Sequence, residues 1–191
     1  MTEVLVTVNK PTVTVVSPTA ATVTVSDVHD KIVLNKFDPA YISVFDATTQ
    51  TDGGGTTSSQ ITFSNQDINY DFGFANNTFT FLRSGTFMLQ YSAQLRNSAT
   101  SIQDVNIFLK KNGQVLPESS TYVSIPNSHG GSPGDAVSSV TYVQRFEVND
   151  TLQFWWYSTS TSCQLATIAA QASGPEMPRS PSIIVTIAQI S

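Results

Sequence analysis

The sequence predicts an all-β protein, an antiparallel β-sandwich or barrel, on three observations. Apolar residues recur at every second position in segment after segment, the spacing that sends successive side chains to opposite faces of a sheet. Charged residues make up only 12% of the chain, about half the roughly 25% usual for soluble domains, and Thr, Ser, Asn and Gln take their place. Short apolar runs are separated by Gly, Asn and Pro clusters, the punctuation of a many-stranded sandwich.

The first element is strand-like but interrupted. Val4, Val6, Val8, Val13, Val15, Val23 and Val25 alternate with Thr, Leu or Asn, and the string TVTV occurs at 12–15 and again at 22–25. Pro11 and Pro18 remove ladder donors and confine pairing to short pieces or edges. An isolated strand of this kind is marginal in water, so residues 1–36 are expected to be an extended arm that another surface completes. Thirty extended residues reach about 100 Å, enough for strand addition to a partner or intertwining with sister subunits. The alternative is that these valines form the first strands of the sandwich itself. Residues 37–60 read as a transition ending in the exposed loop TTQTDGGGTTSSQ, and 61–191 as the compact head.

Within the head, Phe87, Leu89, Tyr91, Ala93 and Leu95 share one face of a half-buried strand. Val105, Ile107 and Leu109 point inward on the next, and Asn112-Gly113 supplies the positive φ angles of a tight hairpin. The loop at 126–136 is polar and glycine-rich, and holds Asn127, His129 and Asp135 as candidate binding residues. Val140, Tyr142, Phe146 and Val148 align on a further strand, Asn149-Asp150 turns the chain, and Phe154 to Tyr157 begin the return. The prolines of 172–182 predict an irregular approach to a last strand carrying Ile183, Val185 and Ile187.

Net charge is −5 and the isoelectric point about 4.7, so no basic field attracts nucleic acid or an anionic membrane. No stretch reaches the roughly 18 apolar residues of a membrane span, and the N-terminus lacks the basic-then-apolar pattern of a signal peptide. Cys163 is the sole cysteine, which excludes an intrachain disulfide and reads as a small buried hydrophobe.

Taken in order, NTFTFLRSGTFMLQYSAQL, VNIFLKKNGQVLPESS, VTYVQRFEVNDTLQFWW and the C-terminal strand resemble the tumour necrosis factor-like and complement-type globular head superfamily. The resemblance rests on Phe81, Gly85 and Phe87 leading into a central strand, on the Lys111-Asn112-Gly113 hairpin, and on Asn149-Asp150 where the family often has Gly-Asp. It covers roughly 60–191 and implies a jelly roll of two facing sheets, usually a compact homotrimer. The Val-Thr-Pro arm ahead of such a head looks like phage structural proteins.

Phe154, Trp155, Trp156 and Tyr157 are consecutive, so a strand sends Phe154 and Trp156 one way and Trp155 and Tyr157 the other. One pair fills the sandwich; the other is expected at a trimer interface, and the whole tetrad is assigned there. The alternatives are cover within the monomer, or a sugar-stacking platform at Trp155 and Tyr157.

No catalytic or metal-binding spacing is present: His29 and His129 stand apart, Cys163 lacks a nucleophile elbow, and Asp27 and Asp30 lack the ligand pattern of a calcium loop. No enzyme, cofactor or metal is expected. The functional expectation is a phage virion structural protein, a homotrimeric head held by its arms to the major capsid protein as a cement protein or head fibre. The rivals are a tail fibre bound to a tail or portal-proximal virion protein and touching a host surface glycan, and a soluble lectin. The expected location is the virion surface, after assembly in the host cytoplasm.

Overall fold

The computed structural model describes residues 6–9 and 12–15 by their backbone, and 38–55 and 57–191 in full; all regular structure among them is β. The chain divides into two units, Met1–Asp38 and Pro39–Ser191.

In the first unit β1 (Val6–Asn9) pairs antiparallel with β2 (Thr12–Val15), Asn9 opposite Thr12 and Val6 opposite Val15. Residues 6–9 and 12–15 therefore run side by side rather than end to end. The first TVTV string is β2; the second, at 22–25, lies outside the described residues along with Val4, Asp27, His29 and Asp30. By register Val6, Val8, Val13 and Val15 fall on one face of the ribbon.

The second unit contains β3 (Tyr41–Asp46), β4 (Gln50–Thr51), β5 (Ser59–Gln60), β6 (Asn65–Tyr70), β7 (Phe72–Ala75), β8 (Thr78–Phe81), β9 (Gly85–Asn97), β10 (Gln103–Lys111), β11 (Gln114–Val115), β12 (Thr121–Ile125), β13 (Gly134–Phe146), β14 (Thr151–Ser158), β15 (Cys163–Leu165) and β16 (Ile183–Gln189). Residues 37–60 thus supply a strand of the main sheet, β3, and two short ones. One sheet runs β6-β3-β16-β9-β13, with β15 and β4 continuing beside the end of β9; the other runs β7-β8-β14-β10-β12, with β5 beside β14 and β11 beside β10. With the edge strands β6 and β7 set aside, the remaining eight principal strands, ranked in chain order, lie first-eighth-third-sixth in one sheet (β3-β16-β9-β13) and second-seventh-fourth-fifth in the other (β8-β14-β10-β12). That interleaving is the jelly roll, an all-β sandwich of two antiparallel sheets.

The alternation read from sequence is the alternation that packs. Phe87, Leu89, Tyr91, Ala93 and Leu95 from β9, Val105, Ile107 and Leu109 from β10, and Ile183, Val185 and Ile187 from β16 are all buried. Phe81, Phe87 and Phe146 form an aromatic knot at one end, with Phe81 and Phe146 stacked at 3.7 Å between centroids. Gly85 is required beside this knot, because a Cβ there would collide with the Ser191 carbonyl that accepts from the Thr86 N–H at 2.9 Å. Val148, expected on the inner face with Phe146, is 52% exposed because β13 ends at Phe146 and the turn carries it away.

The sandwich has two distinct ends. Tyr41, Gln189, Gly85, Phe146 and Thr151 gather at the end where the chain enters from residue 38. The connections 47–58, 98–102, 126–133 and 159–182 leave from the opposite, distal end.

The entry end is pinned by the two turns the sequence marks. Asn112 and Asn149 both take positive φ, 52° and 70°. The Asn112 side-chain amide donates to Asp150 at 2.7 Å and its carbonyl accepts from the Thr151 N–H at 2.7 Å, so the hairpins lock together. Burial alone would push the Asp150 carboxyl up, but hydrogen bonds from Asn112, the Glu147 N–H and Lys111 outweigh it and hold the pKa at about 2. A carboxyl held low in the folded state contributes stability above its unfolded pKa and loses it as pH falls. Denaturant titrations should therefore show stability declining between about pH 4 and pH 2. In Asp150→Asn that part of the decline should be missing.

Candidate interaction surfaces

The tetrad on β14 splits as the strand period demands. Phe154 and Trp156 lie inside the sandwich at 0% and 1% exposure, Phe154 edge-on to Phe79 and Tyr91. They cannot touch a neighbouring subunit, so the interface expected for all four residues fails for these two. Trp155 and Tyr157 face outward and are half-buried. The Lys110 ammonium sits 3.4 Å from the centre of the Trp155 ring, the indole N–H donates to Gln153 at 3.1 Å, and β5 runs alongside with Gln60 opposite Trp155. The monomer thus shelters Trp155 through a cation over its face and a neighbouring strand. Both a subunit contact and a sugar platform at Trp155 would have to displace Lys110.

The outer face of the other sheet has a different character. Registers place Phe45, Ile184, Ser92 and Ser139 in one cross-strand row, Ile68, Ser43, Thr186, Gln90 and Thr141 in the next, and Tyr70, Tyr41, Ala188, Met88 and Val143 in a third. None of the three rows contains a charged residue. Arg145 with Glu147 at 3.0 Å and Arg96 with Asp135 at 2.8 Å form ion pairs at two margins, and at the β6 edge Arg83, paired with Asp71, lies over the Tyr70 ring. Ile184 and Val143 are 40% and 61% exposed, and a hollow of about 210 Å³ opens at Gln90, Ser92, Ile184 and Thr186. Sequence periodicity puts these residues outward; it does not single out this face, because that requires knowing which five strands lie side by side.

The distal loop at 126–133 carries two of its candidate residues in local bonds. His129 and Ser132 exchange backbone hydrogen bonds across Gly130-Gly131, which take φ of 59° and 83° in a tight hairpin tip. The Asn127 amide donates to the Ser128 carbonyl at 3.0 Å. Asp135 stands on β13 and is paired with Arg96. Backbone bonds from Ser128 to Ala99, Ser98 to Ser162 and Gly55 to Ser158 tie the distal loops to one another.

Two buried carboxylates are not singled out by sequence. Asp46 is 1% exposed and accepts from the Thr48 N–H and hydroxyl, each at 2.6 Å, and from Thr62 and Ser64. Asp52 is 7% exposed inside the loop expected to be exposed, and accepts from the Ser158 N–H and hydroxyl, each at 2.6 Å. They stitch distal loops to strands, which a short Asx-turn signature does not distinguish from a solvated turn. Cys163 is fully buried, and burial pushes its thiol up, the state of a packed side chain rather than a nucleophile. No group of three or more potential metal ligands occurs among the described residues.

Alanine substitutions on β14 test the split directly by chemical denaturation. Phe154→Ala should cost about 3–5 kcal/mol, the usual penalty of a buried aromatic deletion. Trp155→Ala, losing one half-buried face and one cation contact, should cost about 1–2 kcal/mol.

No protein-family profile matches the chain, and no curated protein matches it in sequence. Among solved structures, the crystal structure of murine APRIL at pH 8.5 aligns over 80% of this chain and 100% of its own, with a TM-score of 0.48 and 6% identity.

Proposed function

We propose that the chain is a non-enzymatic phage virion structural protein, a homotrimeric jelly-roll head attached to the particle through residues 1–38. The observation that carries this reading is the division of labour between the ends of the sandwich. The second unit begins, at Pro39, beside one end of its own sandwich, and the long polar connections leave from the other. A head so arranged can be tethered without covering its distal loops.

The three uncharged rows on the β6-β3-β16-β9-β13 face support self-association. Water is a poor partner for a broad face bearing exposed Ile, Val and Tyr with charge only at its borders, and another copy of the same face, or its edge, excludes that water. On this reading the trimer contact is this face and not the aromatic tetrad. The ribbon β1-β2, too small to be stable alone, is completed by a capsid surface, where decoration adds stability to the assembled lattice by mass action. Attachment at the tail is the second reading, favoured by the distal loops being free to meet a host surface. Copy number per particle separates the two: many over a capsid, few at a tail.

Removing residues 1–30 tests the tether. The shortened protein should remain folded and self-associated but no longer co-sediment with particles. Undiminished binding of the shortened protein to particles would refute the tethering role.

A further inference from the structure

The outer face of the second sheet holds a constellation that neither packing nor the proposed trimer uses. Tyr122 on β12, Asn106 on β10 and Tyr157 on β14 stand side by side in one row, because Asn106 is directly opposite both tyrosines in the two ladders. Strands lie about 4.8 Å apart, so the two tyrosines flank the amide at a separation of about 10 Å. Asp104 lies two residues along β10 on the same face, about 7 Å toward the distal end.

Tyr122 is 63% exposed and lies diagonal to Asp104, which accepts from Ser124 at 2.6 Å. The Tyr157 hydroxyl donates to the Gly55 carbonyl at 3.5 Å. Tyr122 is exposed and Tyr157 half-buried, so both rings stay within reach of solvent. The Asn106 amide reaches only a weak 3.4 Å contact with Ser120 and keeps hydrogen-bonding capacity toward solvent.

Two aromatic side chains flanking an amide, with a carboxylate nearby, match one ligand chemistry closely. The C–H face of a pyranose stacks on an aromatic ring, while its ring hydroxyls donate to a carboxylate and exchange hydrogen bonds with an amide. Charge narrows the class: the carboxylate in the site and the net charge of −5 repel uronic and sialic acids. The nearest cation on this face, Lys110, is engaged over Trp155.

We infer that Tyr122, Asn106, Tyr157 and Asp104 form a binding site for a neutral hexopyranose at the end of a surface glycan. The site shares Tyr157 with the platform expected at Trp155 and Tyr157 but uses Tyr122, Asn106 and Asp104 in place of Trp155, and it stands whether or not the chain is attached to a particle. Assembly through the opposite sheet leaves it in solvent.

The test uses the full-length protein with methyl glycosides of glucose, galactose, mannose and N-acetylglucosamine, and with glucuronic acid as the anionic control, in saturation-transfer NMR titrations. At least one neutral glycoside should bind with a Kd of about 1–10 mM, as befits a single sugar on an open site. Tyr122→Ala should weaken it at least about tenfold, which is 1.4 kcal/mol. Asp104→Asn should weaken it as well, whereas Trp155→Ala should leave it within about twofold. Tyr122 and Asp104 stand outside the core, so both variants should keep the wild-type far-ultraviolet spectrum. Absence of binding by every neutral glycoside, unchanged affinity in Tyr122→Ala, or tighter binding of glucuronic acid than of any neutral sugar would overturn the assignment.

Discussion

A sandwich buries one face of each sheet and leaves the other to water, and the rest of this structure follows from how the two outer faces are treated. The inner faces need little comment. Alternate residues of β9, β10, β14 and β16 meet in a core of Phe, Leu, Ile, Val and Trp156, and their burial supplies the main driving force for folding. The outer face of the β14 sheet is treated as a surface: Lys110 covers Trp155, and Asp104 accepts from Ser124 beside the exposed Tyr122. The outer face of the β9 sheet is less so: its three central rows offer hydroxyls, amides, Ile, Val and Tyr, and charge borders them at Arg83 beside Tyr70 and at the margins of β9 and β13.

Polar side chains do a second job, fixing the ends. At the distal end Asp46 and Asp52 satisfy backbone and hydroxyl donors of Thr48, Gly54 and Ser158, so long connections are tied to strands although they contain little that is apolar. At the entry end Asn112 and Asp150 join two hairpins that are far apart in sequence. Buried carboxylates are costly unless their oxygens are hydrogen-bonded, and here several donors converge on each. Both ends of the sandwich are therefore defined by polar bonds as well as by the core.

The inner faces were the legible part of the sequence. Period-2 spacing is local, so Phe87 to Leu95, Val105 to Leu109 and Ile183 to Ile187 could be assigned a face without knowing their neighbours. The hairpin turns were legible for the same reason, since positive φ at Asn112, Gly113 and Asn149 is a property of those residues. The outer faces were not. Consecutive aromatics at 154–157 drew attention to β14, but Trp155 is sheltered by Lys110, a pairing set by the β10-β14 register. The uncharged rows draw residues from five strands, and the Tyr122-Asn106-Tyr157 row from three, so neither exists until the sheets are assembled. Asp52 escaped notice because a glycine-rich loop hides a carboxylate that folds back onto Ser158.

The central claim is that the uncharged face of the β9 sheet is covered by sister copies. Sedimentation equilibrium of the full-length chain beside Ile184→Asp, which places one charge in the middle of that face, tests it most directly. The account predicts a wild-type mass near three chains of 20.6 kDa and a variant that sediments as one chain with its fold intact. A wild-type chain that remains a monomer at micromolar concentration, or a variant that associates as the wild type does, would contradict it.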